Sequence, residues 1–275
     1  MYNQEEEYLE LLHHVLTEGF KKGDRTGTGT LNYFGPQLHF DVSEDFLLMT
    51  TKKVWFKGIF EELRWFLSGS TNVNDLDPAV QHLWSPWAKE DGSLGRSYGE
   101  QWRRAKYVDK HGEVAFYDKI ETLINKIKNN PDSRRIVANT WNSAEEELTE
   151  LPWCHGSVIQ FYVQDGKLSM KTYQRSCDIM LGNPYNLASY NLLLRIFANI
   201  CGLEADQMIY TLGDTHLYLN HTEQAKTQLE REPFPLPKLN IKRKLELEDL
   251  WNLDINDFEV IGYQHHPAIQ APLAI

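Results

Sequence analysis

Residues 187–201, LASYNLLLRIFANIC, are apolar nearly all round. A helix with no polar face must sit at the centre of its fold, enclosed by other elements. The rest of the chain supplies the enclosure. Tyr8, Leu11, Leu12, Val15 and Leu16 recur at helical spacing over 5–18, ahead of Gly19 and Gly23. A second helix is expected over 56–68, ending at Gly69. A third is expected over 117–129, with Ile120, Leu123, Ile124 and Ile127 on one face and Pro131 beyond its end. Residues 30–42 read as a strand in which Pro36 marks an edge or a bulge. Residues 157–164 and 167–174 flank Asp165-Gly166, a strong hairpin signal. A strand over 207–213 and a helix over about 218–230 follow, and Pro233 to Pro237 form a rigid connector. Helices and strands mix without regular βαβ alternation. This predicts an α+β fold, a mostly antiparallel or mixed sheet covered by helices. With no repeat, long linker or low-complexity tract, residues 1–275 read as a single domain.

Charge and cysteine content narrow the function. The formal net charge of −11 excludes wholesale binding to a phosphate backbone, so nucleic acid is not an expected partner. Any anion site must be a local arginine cluster. The acidic start MYNQEEEYLELL lacks the basic and apolar regions of a secretory signal. No run of about 18 apolar residues predicts a membrane span. Three cysteines, Cys154, Cys177 and Cys201, fit reduced thiols in the cytoplasm. There is no CxxC pair and no HExxH, so no metal site is expected.

Four features carry possible chemistry. Ile59, Glu62, Leu63 and Phe66 stand at i, i+3, i+4, i+7, which sets a carboxylate on an apolar stripe. Desolvation there would raise its pKa. At the stripe's edge it would instead reach water. Second, Arg134 and Arg135 precede the strand-like IVANTW. With Arg25 and Arg175 they could converge on a phosphate, or they could form surface salt bridges. On a strand, adjacent arginines would face opposite sides, so one subunit would offer at most one of them to a site. Third, Pro152-Trp153-Cys154-His155 suggests a Cys-His dyad. Strand neighbours point apart, so His155 is poorly placed as the base of Cys154. A lone cysteine can also be inert core, and activation would need nearby positive charge. Fourth is the polar string Gln174, Arg175, Ser176, Asp178 and Asn186, followed by Gly213-Asp214-Thr215-His216-Leu217-Tyr218. Asn186, at an expected loop-to-helix junction, could cap the helix or read the amide edge of a pyrimidine. Cys177 and Cys201 read as structural.

Together these segments resemble the thymidylate synthase family. The likeness runs from about residue 8 to residue 275. It is carried by the ordered strings DRTGTGT (24–30), TTK (50–52), ELRWFL (62–67), GRSYG (95–99), DSRR (132–135), Cys154-His155, YQRSCD (173–178), NLASY (186–190), GDTHLY (213–218), REP (231–233) and the terminal APLAI. The resemblance implies a homodimer through the sheet, with active sites shared across subunits. It implies dUMP and methylene-tetrahydrofolate as substrates. Cys154 would be the nucleophile. Arg25, Arg175 and Ser176 would hold the substrate phosphate from their own subunit, while Arg134 and Arg135 reach across from the partner. Asn186 would recognise uracil, and His216 and Tyr218 the ribose. Glu62 and Tyr98 would handle protons. Asp178 would contact the pterin. Trp84, Leu151, Leu181, Gly182, Tyr185 and Ile275 would wall the folate pocket, with Lys52 near the folate's glutamate tail.

Two departures stand out. The family usually places proline directly before the nucleophile, whereas Trp153 intervenes here. The family also has three residues between its Cys-His and the following Gln-Phe-Tyr, and this chain has four: Gly156, Ser157, Val158 and Ile159. One unbuffered extra residue would flip the whole strand, so a bulge at Gly156-Ser157 is expected. The competing outcome on the same fold is a dUMP hydroxymethylase, in which water replaces hydride. A non-catalytic nucleotide-binding homologue is the remaining alternative, and Cys154, Glu62 and the arginines argue against it.

Overall fold

Helix α1 (Glu5–Glu18) buries Tyr8, Leu11, Leu12 and Val15. Strands β1 (Phe20–Lys22), β2 (Thr30–Phe34) and β3 (Gln37–Asp41) follow. Next come α2 (Phe56–Leu67), α3 (Tyr98–Arg103), the hairpin β4 (Ala105–Val108) and β5 (Val114–Tyr117), and α4 (Lys119–Asn129). The second half holds β6 (Val137–Asn139), β7 (Gly156–Gln164), β8 (Lys167–Asp178), α5 (Gly182–Cys201), β9 (Glu204–Tyr218), α6 (Thr222–Leu229), β10 (Lys238–Ile241) and β11 (Phe258–Ile261). The computed structural model describes residues 3–149 and 155–272. Three expected site residues, Leu151, Cys154 and Ile275, lie outside them, as do Pro152 and Trp153.

The main sheet runs β1-β2-β9-β8-β7-β6, with β3 also on β9. Every pairing in it is antiparallel except β8 with β9. A parallel pair needs a long crossover, and α5 provides it. The fold is therefore α+β with a mixed sheet. The β7–β8 turn is the one its residues require, since Asp165 (φ 50°) and Gly166 (φ 75°) both take left-handed angles. The expected strand over 30–42 is two pieces on one register against β9. They are broken at Gly35-Pro36, where proline has no N–H for a ladder.

The α5 core is enclosed as its composition demands. Leu187, Leu192, Leu193, Leu194, Ile196 and Phe197 are all buried, and Phe197 stacks on Phe161 of β7 at 5.0 Å. The lone charge, Arg195, donates to the carbonyls of Val42 and Asp45 at 2.6 Å each. Some boundaries differ from expectation. Helix α5 starts at Gly182 and not 187, because Asp178 Oδ1 accepts from the amides of Met180 and Leu181, 3.0 Å each, and organises the turn before it. Strand β9 extends to Tyr218, so His216 and Tyr218 sit on a strand, and α6 begins only at Thr222. Strand β8 holds β9 extended through this end, pairing as far as His216.

Helices cover one face of the sheet. On the other face Tyr162 and Tyr173 are exposed, and Phe34 is 81% exposed. A groove of about 570 Å³ lined by Gln160, Tyr162, Lys171, Gln207 and Ile209 lies there. No helix of the described residues is long and apolar enough to cross a membrane.

Candidate active site

The extra residue after Cys154-His155 is absorbed where expected. Strand β7 pairs Gly156 with Gln174 but Val158 with Tyr173, a bulge that leaves Ser157 without an opposite number. From Val158 onward the alternation is restored, with Ile159 and Phe161 buried and Gln160 and Tyr162 exposed.

His155, next to Cys154, sits among aromatic rings. Its ring centroid lies 5.3 Å from Tyr98, 5.5 Å from Tyr190 and 6.5 Å from Phe66. Its amide donates to the Tyr98 hydroxyl at 3.3 Å, and its Nδ1 is 3.1 Å from the Tyr190 hydroxyl. Burial, with the Arg175 charge adding to it, pulls its pKa down to about 4, so the imidazole is neutral at physiological pH. Arg175 is close because its amide donates to the His155 carbonyl at 3.3 Å. Its guanidinium lies over the Trp141 ring at 4.9 Å.

Glu62 lies on the other side of Tyr98. Phe66, one turn along α2, stacks on Tyr98 at 4.3 Å. Trp84, held between two short 3-10 turns, packs on Trp65, Phe66 and Tyr98. Its indole N–H donates to Glu62 Oε1 at 3.0 Å. Burial pushes the Glu62 carboxyl up to about 7, against the lowering effect of that hydrogen bond. Glu62 is half-buried, with its carboxylate tied to the Trp84 indole. Its charge is also felt by Tyr185, whose hydroxyl bonds the backbone of Trp55 and whose pKa is raised chiefly by burial.

From Tyr185 the site continues along the start of α5. Leu181, Gly182, Tyr185 and Asn186 are all partly accessible. A side-chain carbon at Gly182 would lie 3.7 Å from Asp178 Cβ and 3.8 Å from Asn186 Nδ2, so these three are immediate neighbours. Asn186 is inside the helix and does not cap it. The N-cap position is Leu181, and the Asp178 carboxylate serves the preceding amides. Asp178 is level with His216, and Ser176 with Asp214, across the parallel pair. The His216 ring meets Tyr218 edge-on at 5.3 Å, and its Nδ1 is 3.5 Å from Asp214 Oδ1. Tyr218 has its pKa raised by burial and by Asp178 and Asp24, with Arg25 acting the other way. Thr30, at the end of the Arg25 loop, is level with Tyr218 across β2 and β9, so the loop lies at the same end of the sheet. Arg25 itself is exposed. Asp24 shapes its loop by accepting from the amides of Thr26 at 2.8 Å and Gly29 at 2.6 Å.

One placement differs from the strand reading. Arg134 and Arg135 lie in a turn before β6, both exposed, so strand alternation does not force them to opposite faces. Lys52 is only 4% exposed. Its ammonium donates to the Met180 carbonyl, and burial pulls its pKa down to about 8 despite Asp178 and Glu5. It is thus an internal support of the Asp178 turn. Cys177 and Cys201 are free thiols whose pKa values burial raises, that of Cys201 to about 11.

Several supporting residues escaped the sequence reading. Trp141 under Arg175 and Tyr190 on His155 are partners supplied by tertiary packing. Asp24 was findable, because an Asp two residues before Thr is a common side-chain-to-backbone turn. Among the described residues no group of three or more His, Cys, Asp or Glu is placed to hold a metal ion. A family model described as thymidylate synthase matches residues 6–275.

Proposed function

The chain belongs to the thymidylate synthase family, and from that premise we propose that it reductively methylates dUMP to dTMP, with methylene-tetrahydrofolate as one-carbon and hydride donor and dihydrofolate as product. One-carbon transfer to dUMP with a folate co-substrate is the family's chemistry. The observation that carries the proposal is the continuous run of neighbours from Glu62 through Trp84, Tyr98 and His155 on one side, and through Tyr185, Asn186, Asp178 and His216 to Tyr218 on the other.

In this reading the Cys154 thiolate adds to carbon-6 of uracil, which turns carbon-5 into a nucleophile. Arg175, held over Trp141 and bonded through its amide to the His155 carbonyl, supplies the positive charge that favours a thiolate and a fork for the phosphate. Arg25 and Ser176 complete the phosphate contacts within the subunit. Asn186 offers one donor and one acceptor to the uracil amide edge. His216 and Tyr218 hold the ribose. Glu62, titrating near neutrality, can give and take protons at the pyrimidine through ordered water with Tyr98. The folate supplies the methylene and the hydride. Trp84, Leu181, Gly182 and Tyr185 offer an accessible, largely apolar wall for it, with Asp178 at the pterin and Leu151 and Ile275 closing the pocket. Excluding water there protects the last step.

The proposal includes a homodimer. Large apolar side chains exposed on one sheet face mark an interaction surface, and Arg134 and Arg135 project from an exposed turn that a partner's site could receive. We read the whole chain as one domain and the enzyme as cytoplasmic. The competing outcome, hydroxymethylation, draws support from the bulge at Ser157, close in sequence to Cys154. Incubation with dUMP and methylene-tetrahydrofolate separates the two. Formation of dTMP with an equal amount of dihydrofolate is expected. Hydroxymethyl-dUMP without dihydrofolate would overturn the synthase assignment.

A further inference from the structure

Asp214 stands two residues before His216 on β9, so both side chains leave the same face of the strand. Two neighbouring strands hold its carboxylate. Lys22 Nζ, on β1, donates to Oδ2 at 3.1 Å. Asn32 Nδ2, on β2, donates to Oδ1, and the Thr30 hydroxyl fixes that amide by donating to Asn32 Oδ1 at 2.6 Å. Burial raises the Asp214 pKa, and the bonds from Lys22 and Asn32 more than offset it, leaving it lowered. The group is therefore an anion at neutral pH, with oxygens that accept and cannot donate.

His216 Nδ1 meets two such oxygens. It lies 3.3 Å from the Asp214 backbone carbonyl and 3.5 Å from Asp214 Oδ1. Neither oxygen can donate, so the nitrogen that meets them carries the ring hydrogen. A neutral imidazole has one such hydrogen, which leaves Nε2 with a lone pair. Tyr218, edge-on to this ring at 5.3 Å, has its pKa raised by burial and by the Asp178 and Asp24 charges, so its phenol keeps its proton. The two side chains together offer one donor and one acceptor, the complement of a hydroxyl group. A hydroxyl that accepts from Tyr218 has its own hydrogen left for Nε2.

We infer that Asp214 is a positioning residue that holds His216 in the Nδ1–H tautomer, so that Nε2 accepts from the ribose 3′-hydroxyl and selects for a donor there. The inference rests on the proposed ribose role of His216 and Tyr218. Asp214 itself touches no substrate. Lys22 and Asn32 keep its carboxylate from rotating away, so strands β1 and β2 contribute to the choice of sugar.

The test compares dUMP with 2′,3′-dideoxy-UMP, which lacks only the 3′-hydroxyl, on the full-length protein. Both carry the same phosphate and base, so the ratio of their dissociation constants isolates the sugar contact. The parent should prefer dUMP on the order of tenfold. Asp214→Leu should reduce that ratio about fivefold, and Asp214→Asn, which keeps an acceptor oxygen, should recover part of it. The turnover number at saturating dUMP should hold, because the contact serves binding. Long-range proton–nitrogen NMR on histidine-labelled protein, with His216→Gln to assign the signal, should show Nδ1–H in the parent at pH 8 and a shift toward Nε2–H in Asp214→Leu. A purely structural Asp214 would lower the melting midpoint and leave ratio and tautomer untouched. That result, or a parent ring in the Nε2–H form, would overturn the inference. Should Asp214→Leu fail to fold, the parent's tautomer and Asn32→Ala, expected to lower the ratio in the same direction, decide instead. If the parent binds both nucleotides equally, the ribose role of His216 falls and the inference with it. If the parent discriminates and the Asp214 variants discriminate equally well, only the role of Asp214 fails.

Discussion

The indole nitrogen of Trp84 donates to Glu62 Oε1 at 3.0 Å, which makes the proposed folate wall and the proposed proton-handling carboxyl one unit. The two effects on Glu62 oppose each other. Burial raises its pKa from 4.5 to about 7, and the Trp84 bond lowers it. A carboxyl near neutrality can exchange protons in both directions during turnover.

Turnover should therefore show an ionisation near pH 7 that disappears in Glu62→Gln. Trp84→Phe removes the lowering contact, so the same limb should move to higher pH. The stability consequence has a definite sign. A carboxyl with a raised folded-state pKa contributes fully below pH 4.5, and that contribution is lost as pH rises through about 7. Glu62→Gln should then match the parent's melting midpoint at pH 4 and exceed it at pH 8. A limb unchanged in Glu62→Gln would assign the ionisation to another group.

His155 behaves in the opposite sense. Its folded-state pKa is depressed from 6.5 to about 4, so the neutral ring's contribution is complete above pH 6.5 and is lost as pH falls toward 4. His155→Gln should flatten the acid side of the stability profile in that window. Ring carbon shifts in NMR should show a neutral imidazole at pH 6. A protonated ring at pH 6 would contradict the buried aromatic setting.

How much of this was legible in the sequence depends on how local each cause is. The Asp165-Gly166 turn and the buried, all-apolar body of α5 follow from residue type and spacing alone, and the bulge after Cys154-His155 follows from the extra residue relative to the family the chain resembles. Glu62 was visible as a carboxylate on an apolar stripe, but its partner is 22 residues away and only packing reveals it. Boundaries at 182 and 218 were misplaced because Asp178 organises the turn before α5 and the β8 ladder holds the chain extended through His216. The burial of Lys52 is unusual for a lysine and is not visible in the residues around it. Its burial follows from the Met180 carbonyl, a contact 128 residues distant.

Glu5 shows how far such distant support extends. Its fully buried carboxylate accepts from the amides and hydroxyls of Thr50 and Thr51 at 2.5–2.9 Å. Gln228 and Arg231 add bonds to Thr51 at 2.9 and 2.7 Å. Glu5→Ala would leave two buried amides without acceptors, at a cost of at least about 2 kcal/mol. The melting midpoint should fall by roughly 4–8 °C. Because Lys52 follows Thr51 and bonds the Met180 carbonyl, folate affinity should weaken as well, while dUMP affinity should hold. A midpoint within a degree of the parent would show that this clasp is dispensable.

The shared-site proposal makes the sharpest demand. Arg134 and Arg135 sit in an exposed turn, away from the strand end that carries Ser176 and His216. If they serve a partner's phosphate, each active site needs Cys154 from one subunit and Arg135 from the other. Arg135→Ala and Cys154→Ser should each be nearly inactive alone. In a hybrid dimer one site receives the intact Cys154 of the first protein and the intact Arg135 of the second, while the other site receives both defects. Random exchange in an equal mixture makes half the dimers hybrids with one working site in two, so about a quarter of the parent rate should return. Subunit exchange is verified by mass spectrometry of differently tagged chains. Full exchange with no recovered turnover would place Arg135 in its own subunit's site or outside catalysis altogether.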